Sequence, residues 1–420
     1  MGTFNRLESI TSNAIDMTRV LLILLTGCNV VAAQKTTFSE DHIHGRSAYI
    51  LENKLVRIGA LRGAGHIAEI RLKSDDPRKS VNPMLVHHYQ TIDPGNYNPI
   101  KHDMLYGKGS DRILTAGYMG HLLNFPLFGA PSNQEFKNGL GVHGEALMVQ
   151  WNKDKVETTA NKVQFSYSTY LPKTQYKVGR TLTLAANETV LYVEEWVESQ
   201  TAFGRPAHWV QHVTFGPPFV TPGRNVLDMS GTRGEVRPPI EDHNSLRAGP
   251  LHWPIGTSRE GKKVSLREMQ APPNTGTYYG ILMDPSREES YFTAFNKDLR
   301  VLIGYIWKTE DFPWIADWQE NQSIDVFPWN GKVIARGLEF GTTPFAGSMK
   351  KVVDEGKLYG VRQYRWIEGR NRLTARYLAF ITEIPDGYQG VESIECHGEK
   401  IDITERETGE IISLKSVRPW

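Results

Sequence analysis

The 420-residue chain lacks the features that mark several common protein classes. Its 48 Lys and Arg residues against 47 Asp and Glu residues leave a formal net charge of +1, with no long basic stripe. Nucleic acid and anionic membrane are therefore poor default partners. The sequence also lacks helical periodicity over ten or more residues, which argues against a helical bundle, and it lacks a repeat of 20 to 50 residues, which argues against a solenoid or propeller.

Long apolar runs are also scarce, because only VLLILLTGCNVVAA, residues 20–33, qualifies. The run is too short to span a bilayer comfortably, and Arg19 precedes it, as in a signal sequence. Its closing VAA, before Gln34, is typical of a signal-peptidase site, while LTGC, ending at Cys28, resembles a bacterial lipobox. Residues 1–33 are therefore predicted to be an export segment, ending either in a cleaved signal or in a lipidated Cys28. An uncleaved hydrophobic N-terminus is the less favoured alternative.

Cysteine is nearly absent, with two residues in the whole chain. Removal of the export segment leaves Cys396, which excludes an intrachain disulfide and a cysteine-based metal site. The histidine clusters HIH (42–44) and HH (87–88) have no carboxylate at convincing ligand spacing. We therefore predict no metal and place these histidines at the surface. The protein is expected to be periplasmic or secreted, with a lipid anchor at Cys28 as its one route to a membrane.

What the sequence does contain favours β-structure. It has 38 Gly, 23 Pro, 10 Trp and 17 Tyr residues, a mixture typical of strands joined by many turns. Alternating or β-rich stretches predict strands at 66–73, 163–171, 277–284, 290–296, 300–307 and 376–384, two more within 180–199, and a short helix at 347–356. Residues 226–268 are polar and are predicted to cross the surface. Residues 35–420 are therefore predicted to form one all-β domain, a large antiparallel β-sandwich.

One predicted strand ends in an unexpected carboxylate. In VIARGLEFGTTPF, residues 333–345, one face carries Val333, Ala335, Gly337 and Glu339. Glu339 would face solvent in the simpler interpretation. In the alternative, the small residues leave room for a ligand and Glu339 faces it.

Three further segments carry candidate functional residues. They are the aromatic loop GHLLNFPLFGAP (120–131), the segment GLGVHGEALMVQW (139–151) with His143, and the predicted strand HWVQHVTFG (208–216). Alternation in the last segment puts His208, Val210, His212 and Thr214 on one face. Each histidine taken alone is more often structural than functional.

The order of these segments resembles the aldose 1-epimerase superfamily, nearest its glucose-6-phosphate 1-epimerase-like branch. That branch has a Pro-x-Phe-Gly loop, a His-Gly segment ending in Trp, a strand histidine and a late strand glutamate. In this sequence the loop corresponds to NFPLFG and the His-Gly segment corresponds to HGEALMVQW. The similarity covers about residues 50 to 345, and the ordered set carries it rather than any single motif.

The resemblance implies a galactose-mutarotase-like antiparallel β-supersandwich that acts without metal or cofactor. It implies that His212 is the catalytic strand histidine, that Glu339 is the general base, and that His143 binds or assists the substrate. Anomer interconversion needs a base for the O1 hydroxyl proton and an acid for the ring oxygen, and a carboxylate with an imidazole can supply both near neutral pH.

The sequence departs from the family at its arginines. His121 and Asn124 stand near the place of one of them and Leu147 takes the other, so a phosphorylated substrate is disfavoured. Candidate substrate-binding residues are Asn124 and Phe128 in the aromatic loop, together with Trp314, Asp317, Trp318 and Trp329, which are predicted to lie in loops before the Glu339 strand. Aromatic rings pack on the C–H faces of sugars, so a sugar or oligosaccharide is the expected partner.

Three functions remain open from the residues. An exported aldose 1-epimerase-like enzyme is favoured by the two histidines and the glutamate, and a non-catalytic carbohydrate-binding protein is favoured by the missing arginine. A glycan lyase or hydrolase would need a Tyr or Arg beside His212, or two carboxylates about 5 to 10 Å apart. No such pair is evident from the sequence.

The competing LTGC and VAA sites predict an exported mature protein that begins at Cys28 or at Gln34. Mass spectrometry of the protein from its native cell should find one of these two N-termini. Detection of the chain in the cytoplasm with Met1 intact would contradict the export prediction.

Overall fold

The structure is a computed structural model that describes residues 36–238, 244–269 and 271–419. The predicted export segment 1–33, including Cys28, lies outside the described residues, so its role stays a prediction. Of the helices in the described ranges, none has the length and apolar character needed to cross a lipid bilayer.

The described chain is built mainly from strands, which confirms the all-β prediction. In chain order the strands are β1 (Thr37–Ile43), β2 (Arg46–Glu52), β3 (Val56–Leu61), β4 (Ile67–Leu72), β5 (His121–Asn124), β6 (Asn152–Thr158), β7 (Lys162–Leu171), β8 (Tyr176–Ala185), β9 (Val190–Ser199), β10 (Arg205–Ala207), β11 (Val210–Phe215), β12 (Asn225–Met229), β13 (Gly231–Val236), β14 (Gly249–His252), β15 (Ile255–Thr257), β16 (Lys263–Ser265), β17 (Thr275–Met283), β18 (Glu289–Asn296), β19 (Val301–Lys308), β20 (Trp314–Asn321), β21 (Ile334–Gly341), β22 (Lys357–Leu358), β23 (Val361–Arg362), β24 (Arg365–Ile367), β25 (Arg372–Glu383), β26 (Val391–His397), β27 (Lys400–Glu405) and β28 (Ile411–Lys415). The helices are α1 (Pro99–Tyr106), α2 (Arg112–Gly117), α3 (Asn133–Lys137) and α4 (Met349–Glu355), with 3-10 turns at Pro94–Asn96 and Ala146–Met148.

Two large antiparallel sheets form the body of the fold. Among the described strands the larger sheet has the order β1-β2-β3-β4-β5-β11-β21-β20-β17-β13-β14-β15-β16, and the smaller has the order β12-β18-β19-β25-β9-β8-β7-β6. A three-stranded sheet, β26-β27-β28, and the pairs β10-β24 and β22-β23 complete the set. Strand β11 pairs antiparallel with β5 and with β21, and β21 also pairs antiparallel with β20. This is the pairing typical of a β-sandwich.

Most predicted elements are confirmed, and two predictions are wrong. The short helix predicted at 347–356 is α4, which Ser348 caps by accepting a hydrogen bond from the Lys351 amide. Residues 226–268 do not simply cross the surface, because they supply β12 to β16 of the two sheets. Trp314 and Trp318 lie on strand β20 rather than in loops. This strand is buried on nearly every residue, so it shows no alternation of apolar and polar positions.

Aromatic rings from both sheets fill the space between them. Phe340 on β21 stacks on Trp307 of β19, with ring centroids 4.3 Å apart and planes 15° from parallel. Tyr305 and Phe292, also from the smaller sheet, lie within 6.2 Å of the same phenylalanine ring. The inner face of β21 is thus anchored in the core, and its outer face is turned away from the smaller sheet.

A buried polar network lies within this otherwise apolar core. Arg180 and Glu195, on neighbouring strands of the smaller sheet, form an ion pair whose side chains are fully buried. Gln211 of β11 joins the two sheets, because its amide donates to Glu195 at 2.5 Å and its carbonyl accepts from Arg180 at 3.1 Å. Trp209 also donates its indole N–H to Glu195. The network holds β11 against the opposite sheet.

The three-stranded sheet near the C-terminus covers the other face of the smaller sheet. Its Ile394, Ile401 and Ile403 pack in one apolar cluster with Phe295 and Phe380 of the smaller sheet. The described chain therefore has three stacked sheet layers, with one face of the largest sheet left for loops. Whether residues 35–420 form one domain in isolation stays a prediction.

Glu195→Gln should strongly destabilise the fold, because it leaves the Arg180 charge buried without its counter-charge. Breaking one side of a buried pair costs about 3–5 kcal/mol, measurable by urea denaturation. The matched control is Glu198→Gln on the same strand, whose partner Arg372 is half exposed, and which should cost less than about 1 kcal/mol. Equal losses in the two variants would contradict the anchoring role of the network.

Candidate active site

Strands β11 and β21 lie side by side at the centre of the larger sheet, and their register brings His212 directly opposite Glu339. The His212 Nε2 atom lies 2.8 Å from the Glu339 Oε1 atom, and both side chains are almost fully buried. The second carboxylate oxygen, Oε2, is buried and has no hydrogen-bond partner among the described residues. An acid/base pair thus forms from residues far apart in sequence.

Strand alternation separates this pair from the core network. Gln211 points inward to the Arg180–Glu195 pair, so its neighbour His212 must point outward. On β21, Phe340 stacks in the core, so Glu339 also points outward. The sequence left open whether Glu339 faces solvent or a ligand. Glu339 is 3% exposed, so it lies on the outer face of the sheet without facing bulk solvent.

The small residue beside Glu339 makes room for two rings of the site. A Cβ atom placed on Gly337 would lie 3.0 Å from His212 Cε1 and 3.0 Å from Trp318 Cε3. The interpretation that small neighbours of Glu339 leave room for a ligand therefore needs refinement, since the space beside Gly337 is taken by the side chains of His212 and Trp318.

A chain of hydroxyl groups reaches His212 from its other nitrogen. Thr214 Oγ1 lies 2.9 Å from His212 Nδ1, and the Tyr118 hydroxyl lies 2.7 Å from Thr214 Oγ1. The same tyrosine hydroxyl lies 3.3 Å from His212 Nδ1. Burial, together with the nearby Glu339 carboxylate, raises the pKa of Tyr118 well above its usual range. Tyr118 is therefore a protonated donor.

His143 is held at the edge of the same site by a strained turn. Its φ is +66°, in the left-handed region, and Gly144 follows with φ +88°. The His143 amide donates to the Gly129 carbonyl at 3.0 Å, and His143 Nδ1 accepts from the Gly129 amide at 3.0 Å. The ring stacks on Phe128 and lies 5.4 Å from the His212 ring. Burial and the nearby His212 lower the pKa of His143 well below its usual range.

The prediction that His208 shares a strand face with His212 is wrong. It precedes β11, and its Nδ1 accepts a hydrogen bond from the Phe128 amide at 2.8 Å. Burial lowers the pKa of His208 to about 3, so the ring is neutral. His208 supports the aromatic loop and does not line the space in front of Glu339.

The outer face of the larger sheet carries a cavity of about 520 Å³ in front of the His212–Glu339 pair. Six of the nine predicted site residues line it: His143, His212, Glu339, Phe128, Trp318 and Trp329. Residues not predicted from the sequence also line it, among them Tyr118, Arg237, Asn244, Tyr278, Glu320 and Lys351. The walls combine aromatic rings with a small number of polar groups, which is typical of ligand sites.

The other three predicted residues do not line the cavity. Asp317 points into the core, where it pairs with Arg336 at 2.7 Å and accepts from the Tyr279 hydroxyl at 2.5 Å. Trp314 is buried beside Tyr359. Asn124 is buried on β5, and neither of its side-chain polar atoms has a partner among the described residues. Alternation explains Asp317, since it lies one residue from Trp318 and must face the opposite way.

The cavity residues that were missed carry no local signal in the sequence. Tyr118 follows the short helix α2, and its place is fixed by Arg46, which donates to the Gly117 carbonyl at 2.7 Å. Arg237 lies at the end of β13 and pairs with Glu235 and Glu355. These residues reach the cavity through tertiary packing alone.

The HH pair was predicted to lie at the surface, and this is wrong for His87. The ring of His87 is 3% exposed and packs against Tyr89, Tyr118 and Trp329, behind the cavity wall. Burial lowers the pKa of His87 to about 3. Within the described ranges, no group of three or more His, Cys, Asp or Glu residues is arranged to hold a metal ion.

The stacked antiparallel sheets define the galactose-mutarotase-like β-supersandwich that the resemblance implied, and solved structures confirm this fold class. The chain is similar to a candidate aldose 1-epimerase from Klebsiella pneumoniae, with TM-score 0.57 and 11% identity over 83% of this chain and 84% of that one. It is also similar to a galactose mutarotase-like protein from Clostridium acetobutylicum, with TM-score 0.55 and 11% identity over 83% and 99% of the two chains.

The same fold also occurs in a TPR-domain containing protein from Parabacteroides distasonis, with TM-score 0.51 and 11% identity over 89% of this chain and 52% of that one. No protein-family model matches the sequence, and no curated protein matches it. At these identities the likeness shows the fold alone, and function has to be argued from the site.

His208→Ala should lower stability by about 1–3 kcal/mol, because it leaves the buried Phe128 amide without an acceptor. Thermal or urea unfolding would measure the loss. The matched control is His397→Ala, an exposed histidine paired with Glu395, for which the change should stay within about 0.5 kcal/mol. A fully stable His208→Ala protein would contradict the supporting role of this ring.

Proposed function

We propose that the protein binds a sugar in the cavity and interconverts its anomers by acid/base catalysis. The observation that carries this proposal is the His212–Glu339 pair, whose free carboxylate oxygen lies at the wall of an aromatic cavity. The same proposal includes two points that rest on the sequence. The protein is exported to the periplasm or secreted, and it is related to the glucose-6-phosphate 1-epimerase-like branch.

Glu339 is assigned as the general base. Its Oε1 atom is engaged by His212, and this contact orients the carboxylate so that Oε2 remains to accept a proton. An O1 hydroxyl placed against Oε2 would give up its proton as the C1–O1 bond gains double-bond character and the C1–O5 bond breaks. Ring closure on the opposite face of C1 then yields the other anomer.

The histidines supply the complementary donors. His212 contacts the base and the hydroxyl chain, so it can hold the proton that the ring oxygen needs. His143 accepts from the Gly129 amide through Nδ1, so in its neutral form the proton is on Nε2, where it can donate to a sugar hydroxyl. The lowered pKa of His143 keeps it a neutral donor.

The cavity walls suit a sugar. Trp318, Trp329 and Phe128 offer flat apolar surfaces for pyranose C–H groups. A volume of about 520 Å³ is in the range of sites that hold drug-sized ligands, so a disaccharide fits as well as a monosaccharide. Arg237 is paired with two glutamates, which favours a neutral sugar over a phosphorylated one.

Glu339→Gln should slow anomer exchange by roughly a hundredfold or more, because the amide retains volume and hydrogen bonds but cannot take a proton. Sugar affinity and folding should change little. Polarimetry of candidate aldoses measures exchange, and calorimetry measures binding separately. His212→Ala should abolish turnover, whereas His208→Ala should act through stability.

Two outcomes would revise the proposal. An inactive wild-type protein that still binds sugars would favour the alternative of a non-catalytic carbohydrate-binding protein. An active wild type with an equally fast Glu339→Gln variant would remove Glu339 from the mechanism.

A second candidate, a glycan lyase, is favoured by one observation: the Tyr118 hydroxyl lies 3.3 Å from His212 Nδ1. A tyrosine and a histidine could remove and return protons in a β-elimination. The raised pKa of Tyr118 argues against its acting as the base. Incubation with acidic polysaccharides, followed by the ultraviolet absorbance of unsaturated ends, discriminates the two reactions, since anomer exchange produces none.

A further inference from the structure

Three histidines near the aromatic loop differ in the group that faces their Nδ1 atoms. A backbone amide faces two of them, since the Phe128 N–H donates to His208 and the Gly129 N–H donates to His143. A hydroxyl faces the third, because Thr214 Oγ1 lies 2.9 Å from His212 Nδ1. This difference decides which ring can carry a second proton.

An amide N–H can donate but cannot accept a hydrogen bond. Protonating Nδ1 of His143 or His208 would set two N–H groups against each other in a buried place. Both rings are therefore held neutral, which agrees with their lowered pKa values. Each can donate a hydrogen bond from Nε2, and neither is suited to give a proton away.

A hydroxyl can either donate or accept, so Thr214 suits both states of His212. When the imidazole is neutral, with its proton on Nε2 toward Glu339, Thr214 donates to Nδ1 and Tyr118 donates to Thr214. When the ring is an imidazolium, Nδ1–H donates to Thr214, Thr214 donates to Tyr118, and the Tyr118 hydroxyl turns to the cavity that it lines.

We propose that Thr214 and Tyr118 form a proton relay from His212 Nδ1 to the cavity, and that the Tyr118 hydroxyl hands the proton to the ring oxygen of the sugar. The inference rests on the proposed anomer exchange and deepens it. Tyr118 is then a further catalytic residue, and Thr214 is a positioning residue that acts through His212 and Tyr118.

Every proton transfer in the relay is balanced by another. Glu339 Oε2 takes the O1 proton while the C1–O5 bond breaks, and O5 takes the Tyr118 proton. Tyr118 regains a proton from Thr214, and Thr214 regains one from His212 Nδ1. The pair changes from carboxylate and imidazolium to carboxylic acid and imidazole, and ring closure reverses every transfer without another reactant.

The surroundings of His212 favour this route over direct transfer from Nε2. Glu339 engages the Nε2 atom at 2.8 Å, whereas the Tyr118 hydroxyl lies 3.4 Å from Nε2, farther than either step of the path through Thr214. The rings of Tyr118, His143 and Trp318 lie 5.4–6.1 Å from the His212 ring. Of these groups and Glu339, only Tyr118 joins a hydrogen-bonded path from Nδ1 to the cavity.

Thr214→Val keeps the branched shape of the side chain and removes the hydroxyl. Tyr118→Phe keeps the ring and removes the terminal donor. Each variant should slow anomer exchange about a hundredfold while sugar affinity, measured by calorimetry, stays close to that of the wild type. Thr214→Ser restores the hydroxyl and should restore most of the rate. Because the two residues act in one path, the double variant should be little slower than either single variant.

Nitrogen NMR of the histidines tests the relay independently of turnover. In the wild type, neutral His212 should carry its proton on Nε2, and in Thr214→Val the nitrogen chemical shift of Nδ1 should change because Nδ1 loses its hydroxyl partner. A wild type inactive on every sugar, with these NMR results intact, would refute the proposed function but not the hydroxyl chain. The relay is overturned if neutral His212 is protonated on Nδ1, if Thr214→Val leaves the Nδ1 chemical shift unchanged, or if Thr214→Val and Tyr118→Phe are as fast as an active wild type.

Discussion

The register between β11 and β21 is the constraint on which the site depends. It places His212 opposite Glu339, and it is held from behind by Gln211 in the Arg180–Glu195 network and by Phe340 in the aromatic core. A slip of one residue in either strand would turn His212 or Glu339 into the core and bring a core residue to the cavity. The buried network therefore supports the site by fixing the opposite face of the same strand.

The aromatic loop adds a second constraint, which acts through hydrogen-bond direction. Its consecutive amides at Phe128 and Gly129 each bind a histidine, and so fix the protonation of His208 and His143. Gly129 is required there, because a Cβ atom would lie 2.4 Å from the Gly347 amide nitrogen. The three histidines therefore differ in their Nδ1 partners. His208 and His143 each face a backbone amide of the loop, whereas His212 faces a hydroxyl that can donate or accept a hydrogen bond.

Part of the cavity lining was predictable from the order of segments along the chain. The resemblance of the ordered segments to the aldose 1-epimerase superfamily implies roles for His143, His212 and Glu339, and these residues converge on one cavity with Phe128, Trp318 and Trp329. Asp317 was selected for its place among tryptophans, but alternation turns it toward Arg336. The burial of β20 on both faces hid that alternation, so the strand resembled an aromatic loop. The roles of the convergent residues stay predictions until activity is measured.

The sequence by itself determined the all-β class and the main strands, because composition and alternation act over short distances along the chain. It also indicated the candidate acid/base residues, but only through the resemblance of its ordered segments to a known superfamily. Tertiary structure alone decided the partners of those residues. Tyr118 meets Thr214, and Arg237 reaches the cavity, through packing between segments that the sequence keeps far apart. A local pattern can show which face of a strand is polar, but it cannot show which loop covers that face.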